Sequence, residues 1–284
     1  MIPAAFEYVR PDSVEEAVSA LRQAGEDAKV IGGGQSLVPM LRLRLALPTT
    51  LVDLGRIEEL RGVRDDGDAI VIGAMTTHHD VLGDALVQRY APLVAQATET
   101  VGDRQVRNLG TFGGSLAHAD PAGDLPAVAV ALDAQMVVAG SSGRRTVPAA
   151  DFFVDYLTTV LEPDELLAEV RVPKLDGWGV HYEKFHQTAQ AWAIVGVAAA
   201  VRRSNGSIAE ARVGLTNVAS VPVRGRAVEA ALAGGEASAG AIASAAEQAG
   251  EGTSPSTDLT GSAEYRQHLS RVLTRRAVSA AAGL

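Results

Sequence analysis

Apolar residues recur at two spacings along the chain, and these spacings predict alternating helices and strands. Val14, Ala17, Val18 and Leu21 follow a helical spacing behind Ser13, a residue type that caps helix N-termini. Short apolar runs bounded by glycine, proline or polar residues predict strands. In the first part of the chain these runs are residues 3–10, 28–31, 51–54, 61–64, 69–72, 135–139 and 169–173.

Between these strands the pattern predicts three more helices, which begin at Thr77, Pro92 and Leu125, and a polar loop over Gly102–Asn108. Beyond a boundary near Gly177, the chain changes to long strands and alanine-rich helices. Antiparallel strands are predicted over residues 180–186, 192–202 and 208–218, with a strong hairpin signal in the Ser-Asn-Gly sequence at 204–206. Helices are predicted over residues 224–232, 239–250 and 263–281.

The pattern therefore predicts an α+β chain in three parts. Residues 1–55 form a first subdomain around a glycine loop, and residues 56–176 form a second subdomain. Residues 177–284 form a C-terminal α/β domain.

Composition narrows the possible functions. The chain has 284 residues, a formal net charge of −9 and no cysteine. The negative charge argues against a general nucleic-acid binder, and no apolar run approaches the ~20 residues of a membrane span. The first residues lack the features of a secretory signal, so we expect a cytoplasmic protein. Without cysteine the chain cannot ligate an iron–sulfur cluster, so redox chemistry would need an organic cofactor or a metal with other ligands.

A glycine-rich loop is the first candidate binding site. Gly32, Gly33 and Gly34 directly follow the strand predicted at 28–31 and precede Gln35. Glycine lets the backbone approach a ligand closely, and successive N–H groups after a strand can converge on an anion such as a phosphate.

A second loop of the same character lies about 75 residues later and reads RNLGTFGGSLAHADPAGDLPA. Thr111 and Ser115 can donate to phosphate oxygens, and Arg107 can neutralise their charge. Asp120 and Asp124 accept hydrogen bonds only, which suits sugar hydroxyls. Hydrogen-bond donors for phosphate oxygens, together with carboxylates for sugar hydroxyls, predict a dinucleotide ligand. Neither loop matches a P-loop or a Rossmann fingerprint, which disfavours an NTPase and a nicotinamide-binding domain.

The two loops, VIGGGQSLVPMLRLRL and RNLGTFGGSLAHADPAGDLPA, resemble the paired FAD-binding motifs of the medium subunit of molybdenum hydroxylases. That family includes the carbon monoxide dehydrogenase type and the FAD domain of xanthine dehydrogenase. The resemblance covers essentially the whole chain, including GAMTTHHDV, LEPDELLAEVRVP and YEKF…WAIVGVAAAV. It implies a two-part FAD-binding domain of the vanillyl-alcohol-oxidase (PCMH) type, followed by a C-terminal domain with a small antiparallel sheet and helices.

The resemblance also implies which residues hold FAD. The first loop would bind the pyrophosphate and adenosine side through backbone amides, and the second would form another clamp. Leu166 or Leu167 and Lys184 would reach the flavin, where Lys184 would stabilise negative charge on the reduced ring, and Trp192 would lie near the ring. The implied set is Lys29, Val30, Ile31, Gly32, Gly33, Gly34, Gln35, Ser36, Leu37, Thr111, Gly113, Gly114, Ser115, Asp120, Asp124, Leu166, Leu167, Lys184 and Trp192.

Several positions fall outside this pattern. Ser115 stands where an asparagine is expected, and Gln187 and Ala191 stand where many relatives have arginine and aspartate. Arg42 and Arg44 alternate with leucines and are expected on a solvated edge. The six histidines show no metal-binding spacing, so no metal site is predicted.

The resemblance implies an oxidoreductase, namely the FAD-binding electron-transfer subunit of a multi-subunit molybdenum hydroxylase. A partner molybdenum subunit would oxidise the substrate, and a partner iron–sulfur subunit would relay electrons to FAD and then to an external acceptor. The assembly would be a heterotrimer that dimerises, and no catalytic acid–base residue is expected on this chain. Two alternatives stay open: a stand-alone FAD-dependent oxidase or reductase, and a non-catalytic nucleotide-binding module.

Overall fold

The computed structural model describes residues 2–284 and shows an α+β chain with three main sheets. The first part consists of β1 (Glu7–Val9), α1 (Val14–Ala24), β2 (Ala28–Ile31), α2 (Leu37–Leu43) and β3 (Thr50–Asp53). Its strands are parallel and lie in the order β1-β3-β2.

The start of α1 follows the prediction from the sequence. Ser13 caps the helix by accepting from the Glu16 N–H at 3.2 Å, and the four residues of the predicted apolar stripe are buried.

The second part is a five-stranded antiparallel sheet with helices on it. Its elements are β4 (Val63–Asp66), β5 (Ala69–Gly73), α3 (His78–Gly83), α4 (Ala85–Tyr90), α5 (Pro92–Glu99), α6 (Arg104–Leu109), α7 (Phe112–His118), α8 (Asp124–Ala131), β6 (Gln135–Gly140), β7 (Gly143–Pro148), α9 (Ala149–Phe152), β8 (Phe153–Asp155), β9 (Thr158–Thr159) and β10 (Leu166–Pro173). The strand order is β4-β5-β10-β6-β7, and β8 pairs with β9 separately.

The third part is a four-stranded antiparallel sheet followed by helices. Its elements are β11 (Gly179–Phe185), β12 (Val195–Ser204), β13 (Ser207–Thr216), β14 (Val223–Arg224), α10 (Arg226–Leu232), α11 (Ala239–Ala246) and α12 (Ala263–Ala282). The predicted hairpin is confirmed: Asn205 (φ +50) and Gly206 (φ +81) join β12 to β13.

The sheet of the third part is buried on both faces, which fixes its position against the second part. Ala198 and Ala200 of β12 belong to the core that includes Leu125 and Val128 of α8. Residues of β12 that point the other way, such as Val197, belong to the core formed with α11 and α12. The apolar run of β12 is continuous because both faces are covered.

Three predictions from the pattern were wrong in detail. Residues 104–109 form helix α6 instead of a polar loop, since the Asp103 carboxylate caps it by accepting from the Val106 N–H at 2.8 Å. The helix predicted from Thr77 divides at Asp84, which caps α4. The strand predicted from Trp192 begins at Val195. The three sheets support the division into residues 1–55, 56–176 and 177–284, which stays a prediction.

Candidate functional site: a cofactor cavity between two glycine loops

One cavity of about 800 Å³ is bordered by all three parts of the chain. Its walls are formed by the first glycine loop, the α7–α8 region and residues 157–167. Lys184 near the end of β11 and residues 190–192 in the loop after β11 complete them. The volume is in the range of cavities that bind cofactors and other small molecules.

The first glycine loop gives this cavity free backbone donors. Within the described residues, the N–H groups of residues 32–36 donate to no atom of the chain. Gly34 has φ +70, a left-handed conformation that glycine adopts without strain, and it turns the chain from β2 into α2. Successive free N–H groups in a turn form a concavity that binds anions.

The two glycine loops also contact each other, and this contact needs glycine as well. A Cβ atom on Gly33 would overlap the carbonyl oxygen of Leu109, and one on Gly32 would lie 3.0 Å from Thr111 Oγ1. A Cβ atom on Gly113 would overlap Ala74. The sequence predicted glycine here for close approach of a ligand, whereas the structure shows that neighbouring protein atoms already leave no room for a side chain.

The second glycine loop is a capped helix more than an open loop. Thr111 caps α7 by accepting from the Gly114 N–H at 3.1 Å, and the Gly113 N–H donates to a backbone carbonyl at 2.9 Å. The Ser115 hydroxyl donates to the carbonyl oxygen three residues earlier, at 2.9 Å. Asp120 accepts from the Ala122 N–H at 2.9 Å. This segment therefore brings hydroxyl and carboxylate groups to the cavity, while the first loop brings the free amides.

Asp124, the first residue of α8, is bound by two residues of β11. Tyr182 Oη donates to Oδ1 at 2.6 Å, and Lys184 Nζ donates to Oδ2 at 2.8 Å. Lys184 Nζ also donates to the Thr100 carbonyl oxygen at 3.1 Å. The side chains of Asp124 and Lys184 are each 4% exposed. A carboxylate has about four acceptor positions, so Asp124 keeps acceptor capacity for a ligand hydroxyl.

Burial is the main influence on the protonation of this group. It raises the pKa of Asp124, and the Lys184 ammonium and the Tyr182 hydroxyl oppose that rise. Burial also raises the pKa of Tyr182 well above its usual value, and the Asp124 carboxylate adds to the effect. The tyrosine therefore stays a hydrogen-bond donor at neutral pH.

Apolar and aromatic side chains complete the cavity. Leu166 and Leu167 of β10 lie in its wall and are 2% and 4% exposed. Trp192 also lines the cavity but is 53% exposed, because it lies in the loop between β11 and β12. An indole at a cavity entrance can stack on an aromatic ring of a ligand.

Every residue of the predicted set except Ile31 lines this one cavity. Arg107 does not line it, and the prediction that it neutralises ligand charge was wrong. Its guanidinium donates instead to the carbonyl oxygens of Glu99 and Val101, at 3.2 and 2.9 Å.

Sequence reasoning missed several parts of the wall, among them His78 and the segment Leu157–Thr159. His78, which begins α3, lines the cavity and is 3% exposed, and its Nδ1 has no partner among the described residues. Burial lowers the pKa of His78 to about 4, and Arg107 contributes to the decrease. Leu157–Thr159 also lines the cavity, with Leu157 at φ +53. The Thr77 cap could have placed His78 at a helix start. The stretch GAMTTHHDV, which contains His78, belongs to the same family resemblance as the two loops, but that resemblance did not assign this histidine to the site.

These groups fit FAD by their chemistry. Free amides and hydroxyls suit a pyrophosphate, carboxylates suit sugar hydroxyls, and the leucines and the tryptophan suit a flat aromatic ring. The cavity is also large enough for such a cofactor, at about 800 Å³.

Comparison with known proteins decides the family. The profile described as FAD binding domain in molybdopterin dehydrogenase matches residues 4–175, and the one described as CO dehydrogenase flavoprotein C-terminal domain matches residues 180–281. The chain belongs to the FAD-binding medium subunits of molybdenum hydroxylases. The predicted family, the α+β fold with its two-part FAD-binding domain and C-terminal domain, and the cofactor FAD are thereby confirmed.

Individual members of the medium-subunit family match over nearly their full length. The carbon monoxide dehydrogenase medium chain of Hydrogenophaga pseudoflava is 43% identical over 282 residues, which is 99% of this chain and 98% of the relative. The glyceraldehyde dehydrogenase medium chain of Sulfolobus acidocaldarius is 36% identical over 277 residues, 98% of each chain.

A solved structure of a family member has the same fold. It is the carbon monoxide dehydrogenase of Hydrogenophaga pseudoflava that lacks the Mo-pyranopterin moiety of its cofactor. Its matching chain has a TM-score of 0.97 and 45% identity, over 99% of this chain and 98% of that one. Among residues 2–284, no helix is both long and apolar enough to span a bilayer.

Proposed function

We propose that this chain is the FAD-binding electron-transfer subunit of a heterotrimeric molybdenum hydroxylase. Electrons from a partner iron–sulfur subunit pass through the bound FAD to an external acceptor, and a partner molybdenum subunit oxidises the substrate. The observation that carries the proposal is the single cavity onto which both glycine loops converge, in a chain that belongs to this family over its whole length.

Each wall of the cavity has its own task in holding FAD. The free N–H groups of residues 32–36 would bind the pyrophosphate, with the Thr111 hydroxyl as a further donor. The hydroxyl of Ser115 lines the same wall, but its one hydrogen already donates to the Phe112 carbonyl oxygen. Asp120 would accept from sugar hydroxyls. When bound, FAD supplies one- and two-electron redox chemistry, which no side chain of this protein can supply.

The flavin end of the cavity is assigned to Lys184, Asp124, Leu166, Leu167 and Trp192. Lys184 places a buried ammonium where a negative charge on the ring would be stabilised, and the leucines exclude water from one side. The half-exposed Trp192 leaves that end open to the solvent, where an external acceptor can approach.

The absence of cysteine fits this division of work between subunits. Iron–sulfur clusters are held by cysteine thiolates, and this chain has none. The clusters that feed FAD must therefore be held by another chain.

Two of the relatives are subunits of dehydrogenases that are named for different substrates. One is a carbon monoxide dehydrogenase and the other a glyceraldehyde dehydrogenase, at 43% and 36% identity. A medium subunit can be shared by such different reactions because the substrate is bound by the molybdenum subunit. We therefore assign substrate choice to the partner.

Purification with and without the partner subunits tests the proposal. The chain alone should hold about one FAD per molecule and show flavin absorbance, but it should not oxidise a substrate. The three-subunit complex should reduce an artificial dye when given the substrate. Removal of FAD from this chain should abolish the reduction of a dye that accepts its electrons from the flavin. Substrate oxidation by the isolated chain would instead support a stand-alone oxidase. A cytoplasmic location stays a prediction, which cell fractionation tests.

A further inference from the structure

The loop between β11 and β12 brings Trp192 to the cavity, but hydrogen bonds hardly fix the loop itself. Within the described residues, positions 186–192 form one hydrogen bond, from the Ala191 N–H to the Thr188 carbonyl oxygen at 3.1 Å. The Trp192 side chain is about half exposed. The position of the indole at the cavity therefore depends on the residues that follow it in the chain.

Two side chains of the C-terminal domain bind the two residues after Trp192. Asn217 Nδ2 donates to the carbonyl oxygen of Ala193 at 2.7 Å, and Arg266 Nη1 donates to that of Ile194 at 2.5 Å. Both of these carbonyl residues and the arginine are buried, so the bonds are shielded from water. The indole is thus attached to a pair of fixed peptide groups.

The segment that contains Asn217 also binds a second wall of the cavity, the loop between α7 and α8 that carries Asp120. The Asn217 N–H donates to the Pro121 carbonyl oxygen at 2.7 Å. The buried Thr216 hydroxyl lies 2.8 Å from the same oxygen and 2.5 Å from the Gly123 carbonyl oxygen, which share its one hydrogen. Residues 216–217, at the end of β13, therefore join two walls of the cavity.

The backbone at position 217 shows that its side chain has a purpose beyond the turn. Asn217 has φ +61, a left-handed conformation that glycine adopts without strain and asparagine tolerates better than most residues. Glycine here would keep the bond from the N–H to Pro121, but it would lack the amide that reaches Ala193. The side chain therefore serves the Trp192 loop.

We propose that Asn217 is a positioning residue for the flavin, because it fixes Trp192 in one wall relative to Asp120 in another. The inference rests on the proposed function, which places the flavin ring beside Trp192. Asn217 does not line the cavity, so its side chain acts through the indole. A ring that stacks on the indole is then held at a defined place relative to the groups of the α7–α8 loop.

Flavin fluorescence of the FAD-loaded chain tests the proposal, because an indole in contact with a flavin quenches its emission. Asn217→Gly removes the amide and leaves the left-handed backbone relaxed. The bound flavin of this variant should emit more strongly than in wild type. FAD should bind about three- to tenfold more weakly, as expected for the loss of one aromatic stacking contact.

Asn205→Gly is the matched control. Asn205 also has a left-handed backbone, with φ +50, and it is exposed in the turn that joins the other ends of β12 and β13. The same exchange at that position leaves the Trp192 loop untouched, so flavin emission and FAD affinity should equal those of wild type. Urea denaturation checks that both variants are folded.

Removal of the indole separates positioning from general destabilisation. In a Trp192→Ala background, Asn217→Gly should leave flavin emission unchanged and alter FAD affinity by less than about twofold, since the two changes act on one contact. Thr216→Val should weaken FAD binding by the same factor with and without Trp192, because Thr216 acts on the α7–α8 loop.

The outcomes distinguish the positioning role from the proposed function. Wild-type chain that holds no FAD would overturn the proposed function. FAD retention with unchanged emission in Trp192→Ala would overturn the placement of the ring beside the indole, and the positioning role with it. Equal effects of Asn217→Gly with and without Trp192, or no effect at all, would overturn only the positioning role.

Discussion

Lys184 and Asp124 form a buried ion pair between the FAD-binding part and the C-terminal domain, with 2.8 Å between Nζ and Oδ2. Each side chain is 4% exposed, and Tyr182 binds the other carboxylate oxygen. The family resemblance assigned both charged residues to the cofactor. The structure adds that the same pair joins two domains, so the cofactor site and the domain contact depend on each other.

Lys184→Met should destabilise the protein by about 3–5 kcal/mol, because it leaves the Asp124 carboxylate buried without a partner charge. Urea denaturation measures the loss. Lys174→Met is the control: Lys174 pairs with Asp65, whose side chain is 47% exposed, and a pair with such an exposed partner contributes little to stability. A loss in Lys184→Met no larger than in the control would show that the pair does not join the domains.

Tyr182→Phe should cost about 2 kcal/mol, since it removes a hydrogen bond to a buried charged group and leaves the ring in place. A Cβ atom on Gly196 would lie 2.6 Å from the Tyr182 hydroxyl, so that glycine makes the space the hydroxyl occupies. FAD affinity, measured by flavin fluorescence, should fall with stability because Asp124 loses one of its two fixed partners. Unchanged stability and FAD affinity would mean that the hydroxyl does not position the carboxylate.

Local signals predicted much of the fold because the contacts behind them are local. Ser13 caps α1, the Asn205-Gly206 turn joins two strands, and the apolar stripe of α1 is buried, all as expected. The prediction failed at α6, where Asp103 has the same capping role as Ser13 but the helix has only six residues. A helix that short has too few residues to show an apolar period, and it is stabilised by tertiary contacts.

The site was predictable as a set of residues but not as a geometry. All of the residues that the resemblance implied, except Ile31, line one cavity, and their contacts with FAD stay a prediction. The resemblance gave no sign that Lys184 and Asp124 bind each other or that Gly33 packs on Leu109, because those contacts join residues 60 or more positions apart. Arg107 was misassigned for a related reason, since its backbone partners become visible only when α6 is folded.

Stability should decrease as the pH falls from 7 to 5, and His78 should account for part of the decrease. The pKa of His78 is about 4 in the folded chain, whereas the ordinary value of 6.5 applies to the unfolded chain. As the pH falls, the unfolded chain therefore binds the proton first. The part of the folded state's stability that comes from neutral His78 is complete above pH 6.5 and is lost as the pH falls toward 4. Between pH 7 and 5, the titration of His78 should lower the free energy of unfolding by about 2 kcal/mol.

Urea denaturation of His78→Gln at both pH values measures that contribution. The difference between pH 7 and 5 should be about 2 kcal/mol smaller than in wild type, because glutamine does not titrate. His79→Gln is the matched control, since the neighbouring ring is exposed. Equal pH dependence in wild type and His78→Gln would show that His78 is protonated equally in both states.

Gly33→Ala should abolish FAD retention, although it adds only one methyl group. That methyl overlaps the backbone carbonyl oxygen of Leu109, which cannot move without shifting the second glycine loop. The change therefore separates the free amides of residues 32–36 from the Thr111 hydroxyl at the start of α7. Flavin absorbance per protein after gel filtration measures retention, and thermal unfolding measures the accompanying loss of stability, expected at about 1–3 kcal/mol.

Gly240→Ala in α11 is the control, because no atom lies within 4 Å of the position that its added methyl group would take and alanine favours a helix. Since alanine already breaks the contact between the loops, full FAD retention by Gly33→Ala would show that the two loops bind the cofactor independently.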